Sequence, residues 1–199
     1  AVDQYGKVVD GDRLLLIFGE YLKEQGILAK DTVVITVMSN MGLKIALRER
    51  GIKTLETKVG DRYVIEGMKE KGAVLGGEQS GHIVFGLDNT TGDGILSSVK
   101  LLQILRQRKK TLAELAEQME QYPQTLINVK VQEKHGWEEK TEIQQAISAA
   151  QQELGEEGRI LVRASGTENL LRVMVEGKQQ EQIERLARQI ADVVETVMN

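Results

Sequence analysis

The sequence predicts an α/β layer domain with a mixed, largely parallel sheet, followed by a smaller α+β domain of β-α-β-β-α order. Three observations carry this. Apolar, β-branched runs alternate with helix-length amphipathic segments through the first half of the chain, the pattern of βαβ units. The run Thr32-Val33-Val34-Ile35-Thr36-Val37-Met38 is almost continuously apolar, as expected of a strand covered on both faces. After the single proline, Pro123, the pattern changes to strand, helix, two strands around a polar loop, and helix.

Taken in order, residues 1–9 place Tyr5-Gly6-Lys7 between Val2 and Val8-Val9, a tight turn feeding a short strand. Asp10-Gly11-Asp12 caps a helix whose Leu14, Leu15, Ile17, Phe18, Tyr21 and Leu22 share a broad apolar face, and Gly26 ends it. The strand at 32–38 leads into Ser39-Asn40, caps for a helix through Arg50 that Gly51 closes. A strand at 52–59, a helix at 61–71 with Gly72 after it, and a short strand at 73–77 follow. Beyond a polar loop, Ile83-Val84-Phe85 resumes strand character, and Asp93 caps a helix from Ile95 to Arg108. A second helix spans 112–121, and Tyr122-Pro123 marks the boundary between the domains at 10–121 and 122–199. The second domain reads as a strand at 125–132, a helix at 138–154, a turn at 155–158 and strands at 160–162 and 170–175. A final helix at 179–198 has an apolar stripe that includes Ile183, Leu186, Ile190 and Val194.

At 199 residues, either one or two domains would bury roughly 70% of the unfolded surface, so a real core is expected. Twenty-six basic against 30 acidic side chains give a net charge of −4, and no long basic stripe is present, which argues against a nucleic-acid partner. The one basic run, Arg106-Gln107-Arg108-Lys109-Lys110, suits the last turn of a helix, where cations complement the dipole. The absence of cysteine excludes disulfides and thiolate chemistry and fits a reducing, cytoplasmic compartment. No apolar run reaches a membrane span of roughly 18 residues, so no membrane partner is expected. A homo-oligomer is compatible with the sequence. The first residues carry neither a signal-peptide pattern nor a methionine, which reads as a piece of a longer chain or a processed product.

Four segments bear chemistry. The loop between the last two strands carries Arg163, Ser165, Gly166, Thr167 and Glu168, with Arg172 on the following strand. Guanidinium forks, hydroxyls and free amides are what a phosphate dianion needs; the alternative is an ordinary hairpin with solvated arginines. Gly76-Gly77-Glu78-Gln79-Ser80-Gly81-His82 gathers a carboxylate, a hydroxyl and an imidazole at the end of a strand, suited to a polyol or else a structural turn. Gly60-Asp61-Arg62 opens a helix directly after a strand, where Arg62 would meet an anion or stay solvated. Asp10-Gly11-Asp12-Arg13 offers paired aspartates for a hard cation, but the helix start beside them favours a cap. His135 and Trp137 read as surface or packing groups.

The segments V-G-D-R-Y (59–63), G-E-Q-S-G-H (77–82) and R-A-S-G-T-E-N-L-L-R-V-M-V-E (163–176) occur in the order found in the α-D-phosphohexomutase superfamily, which the chain resembles along essentially its whole length. The glutamine of G-E-Q-S-G-H favours the branch acting on glucosamine phosphates, with the mannose and glucose branches or a stand-alone phosphosugar-binding module as alternatives. The resemblance implies the third and fourth domains of a four-domain isomerase, preceded by a remnant of the second at residues 1–9. It implies that Glu78, Ser80 and His82 contact sugar hydroxyls and that Arg62 lies near the reacting phosphate. Arg163, Ser165, Gly166, Thr167 and Arg172 would hold the phosphate that is not transferred. It further implies a phosphoserine and a magnesium loop upstream of this chain, so no metal ligand and no nucleophile are expected here, and Asp10-Gly11-Asp12 is a look-alike. The implied partners are a hexosamine phosphate and the N-terminal half of the same enzyme. Asn169 departs from the family pattern, which usually has proline there.

Overall fold

The computed structural model describes the backbone of residues 1–199 and every side chain except that of residue 157. The chain divides into two compact units, Ala1–Gln121 and Tyr122–Asn199.

The first unit begins with a turn closed by one antiparallel bridge, Val2 to Val8, in place of the expected short strand. Helix α1 (Gly11–Glu24) is capped by the Asp10 carboxylate, which accepts from the Arg13 amide. Strand β1 (Thr32–Thr36), helix α2 (Met41–Glu49), strand β2 (Lys53–Thr57), helix α3 (Asp61–Lys71) and strand β3 (Leu75–Gly77) follow. The first two strands are shorter than the sequence runs suggest; in β1 this is because residues 37–38 already turn towards the Asn40 cap of α2. Strand β4 (Ile83–Phe85), helix α4 (Gly94–Arg108) and the short helix α5 (Leu112–Ala116) complete the unit.

The sheet order is β2-β1-β3-β4, with β1 parallel to both neighbours and β4 antiparallel to β3. Val33 and Ile35 point into a core shared with α1, α2, α4 and α5, whereas Val34 packs with Val64 and Met68 of α3 on the other face. Covering both faces is what made the β1 run continuously apolar. The carboxyl ends of β1, β2 and β3 therefore lie on one edge, followed respectively by the cap of α2, the start of α3 and the loop at 78–82.

The second unit contains strand β5 (Gln124–Lys130), helix α6 (Thr141–Leu154), the hairpin β6 (Arg159–Ala164) and β7 (Leu170–Glu176), and helix α7 (Gln180–Met198). Helix α6 starts at Thr141 rather than Glu138, because Trp137–Glu139 forms a separate 3-10 turn and Lys140 is extended. The sheet is antiparallel in the order β5-β7-β6. Val129, Val162, Leu171, Val173 and Val175 face a core built with Ile143 of α6 and Ile183, Leu186, Ile190 and Val194 of α7. No helix among the described residues is long and apolar enough to cross a membrane.

Candidate functional site

In the second unit, the pleat decides where the arginines go. With Val162, Val173 and Ile127 committed to the helical core, their neighbours along each strand point to the opposite face. The register sets Asn128, Arg172 and Arg163 side by side across β5, β7 and β6 on that face. Like charges directly opposite on adjacent strands destabilise a sheet. Burial, and then the Arg172 charge, hold the Arg163 guanidinium below its ordinary pKa. The Arg172 Nε is buried and has no hydrogen-bond partner among the described residues. Two guanidinium groups so placed form a pair that one anion can satisfy together.

The loop between these strands adds more donors. Its own amides are partly used: Ser165 N–H donates to the Leu170 carbonyl, Leu170 N–H to the Glu168 carbonyl, and Glu168 N–H to the Ser165 hydroxyl at 3.4 Å. Ser165 is 3% exposed, so its hydroxyl faces the loop interior, whereas Gly166 and Thr167 are exposed. The Asn169 carbonyl accepts from Val131 N–H, so asparagine at this position keeps a structural bond. A residue the sequence did not mark sits behind the loop. Lys134 Nζ donates to the carbonyls of Ser165 at 2.8 Å, Glu168 at 3.3 Å and Gly166 at 3.5 Å. Nothing in the segment Glu133-Lys134-His135-Gly136 signals this, because the contact spans about thirty residues of chain.

In the first unit, Glu78 and His82 face each other across the mouth of the β3–β4 hairpin, where Glu78 N–H donates to the His82 carbonyl. Glu78 is 9% exposed and its Oε1 accepts from the Gly60 amide at 2.9 Å, which ties the loop to the start of α3. Ser80 Oγ lies 3.3 Å from His82 Nδ1, and both residues are exposed. Gly11 is required beside this loop: a Cβ there would lie 2.0 Å from the Glu78 carbonyl oxygen. A cleft of about 360 Å³ opens along this contact, lined among others by Val8, Gly11, Gln79, Ser80 and Ser97. Arg62 extends along α3 to pair with Glu66 at 2.8 Å and is largely exposed.

Two carboxylate groupings bear on metals. Asp61, Glu78 and His82 bring one ligand atom each within 4.8 Å of one another, although one Glu78 oxygen already holds the Gly60 amide. Asp10 and Asp12 do not fit a magnesium loop. Asp10 caps α1 and pairs with Arg13 at 3.6 Å, and the fully buried Asp12 accepts from the Asn40 amide at 2.7 Å, which joins α1 to α2.

These motifs sit on a fold that other proteins share. The sequence model of "Phosphoglucomutase/phosphomannomutase, alpha/beta/alpha domain III" matches residues 10–122. The chain belongs to the phosphoglucomutase/phosphomannomutase family. The C-terminal domain of the same family matches residues 126–193. Among curated relatives, the phosphoglucosamine mutase of Ligilactobacillus salivarius is 50% identical over 198 residues, which are 100% of this chain and 44% of that protein. The phosphoglucosamine mutase of Symbiobacterium thermophilum is 53% identical over 196 residues, 98% of this chain and 44% of that protein. The chain thus spans less than half the length of these relatives. Aspergillus fumigatus N-acetylphosphoglucosamine mutase shares the fold with a TM-score of 0.83 at 20% identity, over 99% of this chain and 45% of that one. The same fungal enzyme in complex with GlcNAc-6P and magnesium gives a TM-score of 0.79 at 21% identity, over 100% and 46% of the two chains.

Proposed function

We propose that this family member is the substrate-holding part of a phosphoglucosamine mutase, which interconverts glucosamine 6-phosphate and glucosamine 1-phosphate through a bisphosphate intermediate. The observation that carries the reading is the Arg163–Arg172 pair, set in register on adjacent strands with the buried Arg172 Nε unpartnered among the described residues. The names of the relatives supply the sugar.

In this reading the second unit grips the phosphate that is not transferred, with Arg163 and Arg172 as charged donors and Ser165, Gly166 and Thr167 supplying the loop. Glu78 accepts from a sugar hydroxyl, and Ser80 and His82, which already share a contact, exchange hydrogen bonds with its neighbours. Arg62 meets the reacting phosphate by leaving Glu66, an exchange that costs little because solvent screens an exposed pair of this kind. Phosphoryl transfer depends on positioning and charge neutralisation. This chain's part is the positioning. The nucleophilic serine and the magnesium ligands belong to the preceding half of the parent enzyme, in a cytoplasmic setting, and no step of the transfer runs through Asp10 or Asp12.

Calorimetric titration of the 199-residue chain tests this. Glucosamine 6-phosphate should bind more tightly than mannose 6-phosphate or glucose 6-phosphate, and Glu78→Gln should erase the difference. A preference for either neutral hexose would transfer the chain to another branch of the family. Magnesium-dependent turnover by the chain alone would refute the division of labour.

A further inference from the structure

We infer that Lys134 is a positioning residue that aims the amides of the 165–169 loop at the bound phosphate. The inference rests on the phosphate reading of Arg163 and Arg172 and adds to it a residue and a mechanism.

An ammonium group has three protons and no acceptor. Lys134 directs all three at carbonyls of one loop, those of Ser165, Gly166 and Glu168. None remains for a ligand, so Lys134 acts through the loop. In a planar trans peptide unit, C=O and N–H point in opposite directions. Drawing these three carbonyls onto one cation therefore turns the amides that follow them, those of Gly166, Thr167 and Asn169, the other way. These three amides have no hydrogen-bond partner among the described residues, while the Ser165, Glu168 and Leu170 amides are each satisfied inside the hairpin. The loop thus sorts its donors, with three used to fold it and three that have no partner among the described residues.

The cation also acts electrostatically. A charge held at the carbonyl end of a peptide dipole polarises that unit and strengthens donation at its N–H end. Lys134 is half-buried, which limits screening by water. An anion nest normally depends on backbone conformation alone; here a side chain from the turn after β5 holds that conformation. Lys134, Arg163 and Arg172 together give the loop three cationic side chains, but only the two arginines have donors to offer an anion.

Inorganic phosphate is the probe, titrated into the full 199-residue chain by calorimetry and by 15N amide spectroscopy. Lys134→Met keeps the aliphatic stem and removes the donors. It should weaken phosphate binding on the order of tenfold, with the Arg163 and Arg172 side-chain resonances still responding. In the unaltered protein the Gly166, Thr167 and Asn169 amides should move downfield on phosphate addition; in Lys134→Met they should not, and Lys134→Arg should restore part of the shift. A purely structural lysine would lower the melting temperature without this selective loss. If Lys134→Met binds phosphate like the unaltered protein while Arg163→Ala and Arg172→Ala do not, the phosphate reading stands and the Lys134 inference fails. If neither arginine variant loses phosphate, the phosphate reading itself fails. Should Lys134→Met not fold, the unaltered protein decides alone: still amides at 166, 167 and 169 during titration overturn the inference.

Discussion

Arg163 pays for its place in the sheet. Burial and the facing Arg172 disfavour its charged form, so its folded-state pKa lies below the ordinary guanidinium value and the charge it carries at neutral pH opposes folding. Arg163→Met should therefore raise the stability of the phosphate-free protein by about 0.5 kcal/mol, within the range of a cross-strand like-charge contact. It should also abolish the rise in melting temperature that phosphate gives the unaltered protein, since a ligand stabilises only through the state it binds. Thermal denaturation with and without phosphate checks both halves; a destabilised Arg163→Met would mean that the guanidinium has a structural partner. At this scale the sequence was informative where chemistry is local. The strand–loop–strand pattern announces Arg163, Ser165, Gly166, Thr167 and Arg172, because the donors crowd into one short stretch of chain. Lys134 was invisible for the opposite reason: its targets lie more than thirty positions away in sequence. Ser165 was visible as a hydroxyl, but not that it turns inward to accept from Glu168.

Among the elements, the basic run falls in the last turn of α4, where its reading as a helix end expects it, and one of its members also reaches a neighbouring helix. Arg108 closes α4, and its guanidinium reaches Glu20 at 2.7 Å and Glu24 at 2.6 Å on α1, while Arg50 at the end of α2 reaches Glu20 at 3.0 Å. Arg108 thus ties α4 to α1, and Glu20, shared by both arginines, links three helices. Burial alone would raise the Glu20 pKa, but hydrogen bonds from Arg108 and Arg50 outweigh it and hold the carboxyl below its ordinary value of 4.5. A depressed folded-state pKa contributes stability that is present above the unfolded value and lost as pH falls through the folded one. Glu20→Gln should therefore cost about 1–2 kcal/mol at pH 7, and in urea unfolding the gap to the unaltered protein should narrow only below that ordinary carboxyl value. Elements of regular period were legible, and so were ends marked by a glycine or a cap, as in α3; the start of α6 was not. Helix α6 begins three residues later than its acidic N-terminal residues suggest, because Trp137 packs against the second core and draws the preceding turn into a 3-10 geometry. In β7 the buried Glu176 would look misplaced by pattern alone, yet it accepts from Gln124 at 3.0 Å and pairs with Arg159, so three strands meet at one carboxylate. Glu176→Ala should cost on the order of 3 kcal/mol, since it removes the carboxylate from a largely buried ion pair and leaves the guanidinium; a loss under about 1 kcal/mol by denaturant unfolding would place the pair among those that contribute little.

For the whole molecule, the two units have separate cores, one centred on Phe18, Ile35 and Leu47 and the other on Val173, Ile183 and Ile190. In the sequence the strand–helix alternation stops at Pro123, and the two compact units divide between Gln121 and Tyr122. The proposed tasks divide along the same line: sugar hydroxyls at Glu78, Ser80 and His82, and phosphate at Arg163 and Arg172. A phosphate is recognised by a few charge-assisted hydrogen bonds whose energy does not depend on the sugar behind it. Residues 122–199 expressed alone should therefore bind inorganic phosphate within about threefold of the full chain, a difference under about 1 kcal/mol. The same piece should bind glucosamine 6-phosphate and mannose 6-phosphate equally, because the groups that would tell their hydroxyls apart lie in residues 1–121. Parallel titrations of the two proteins decide the matter. A piece that folds by circular dichroism yet binds no phosphate would show that the clamp is assembled only with the first unit, and a piece that still separates the two sugars would move hexose selection into the second.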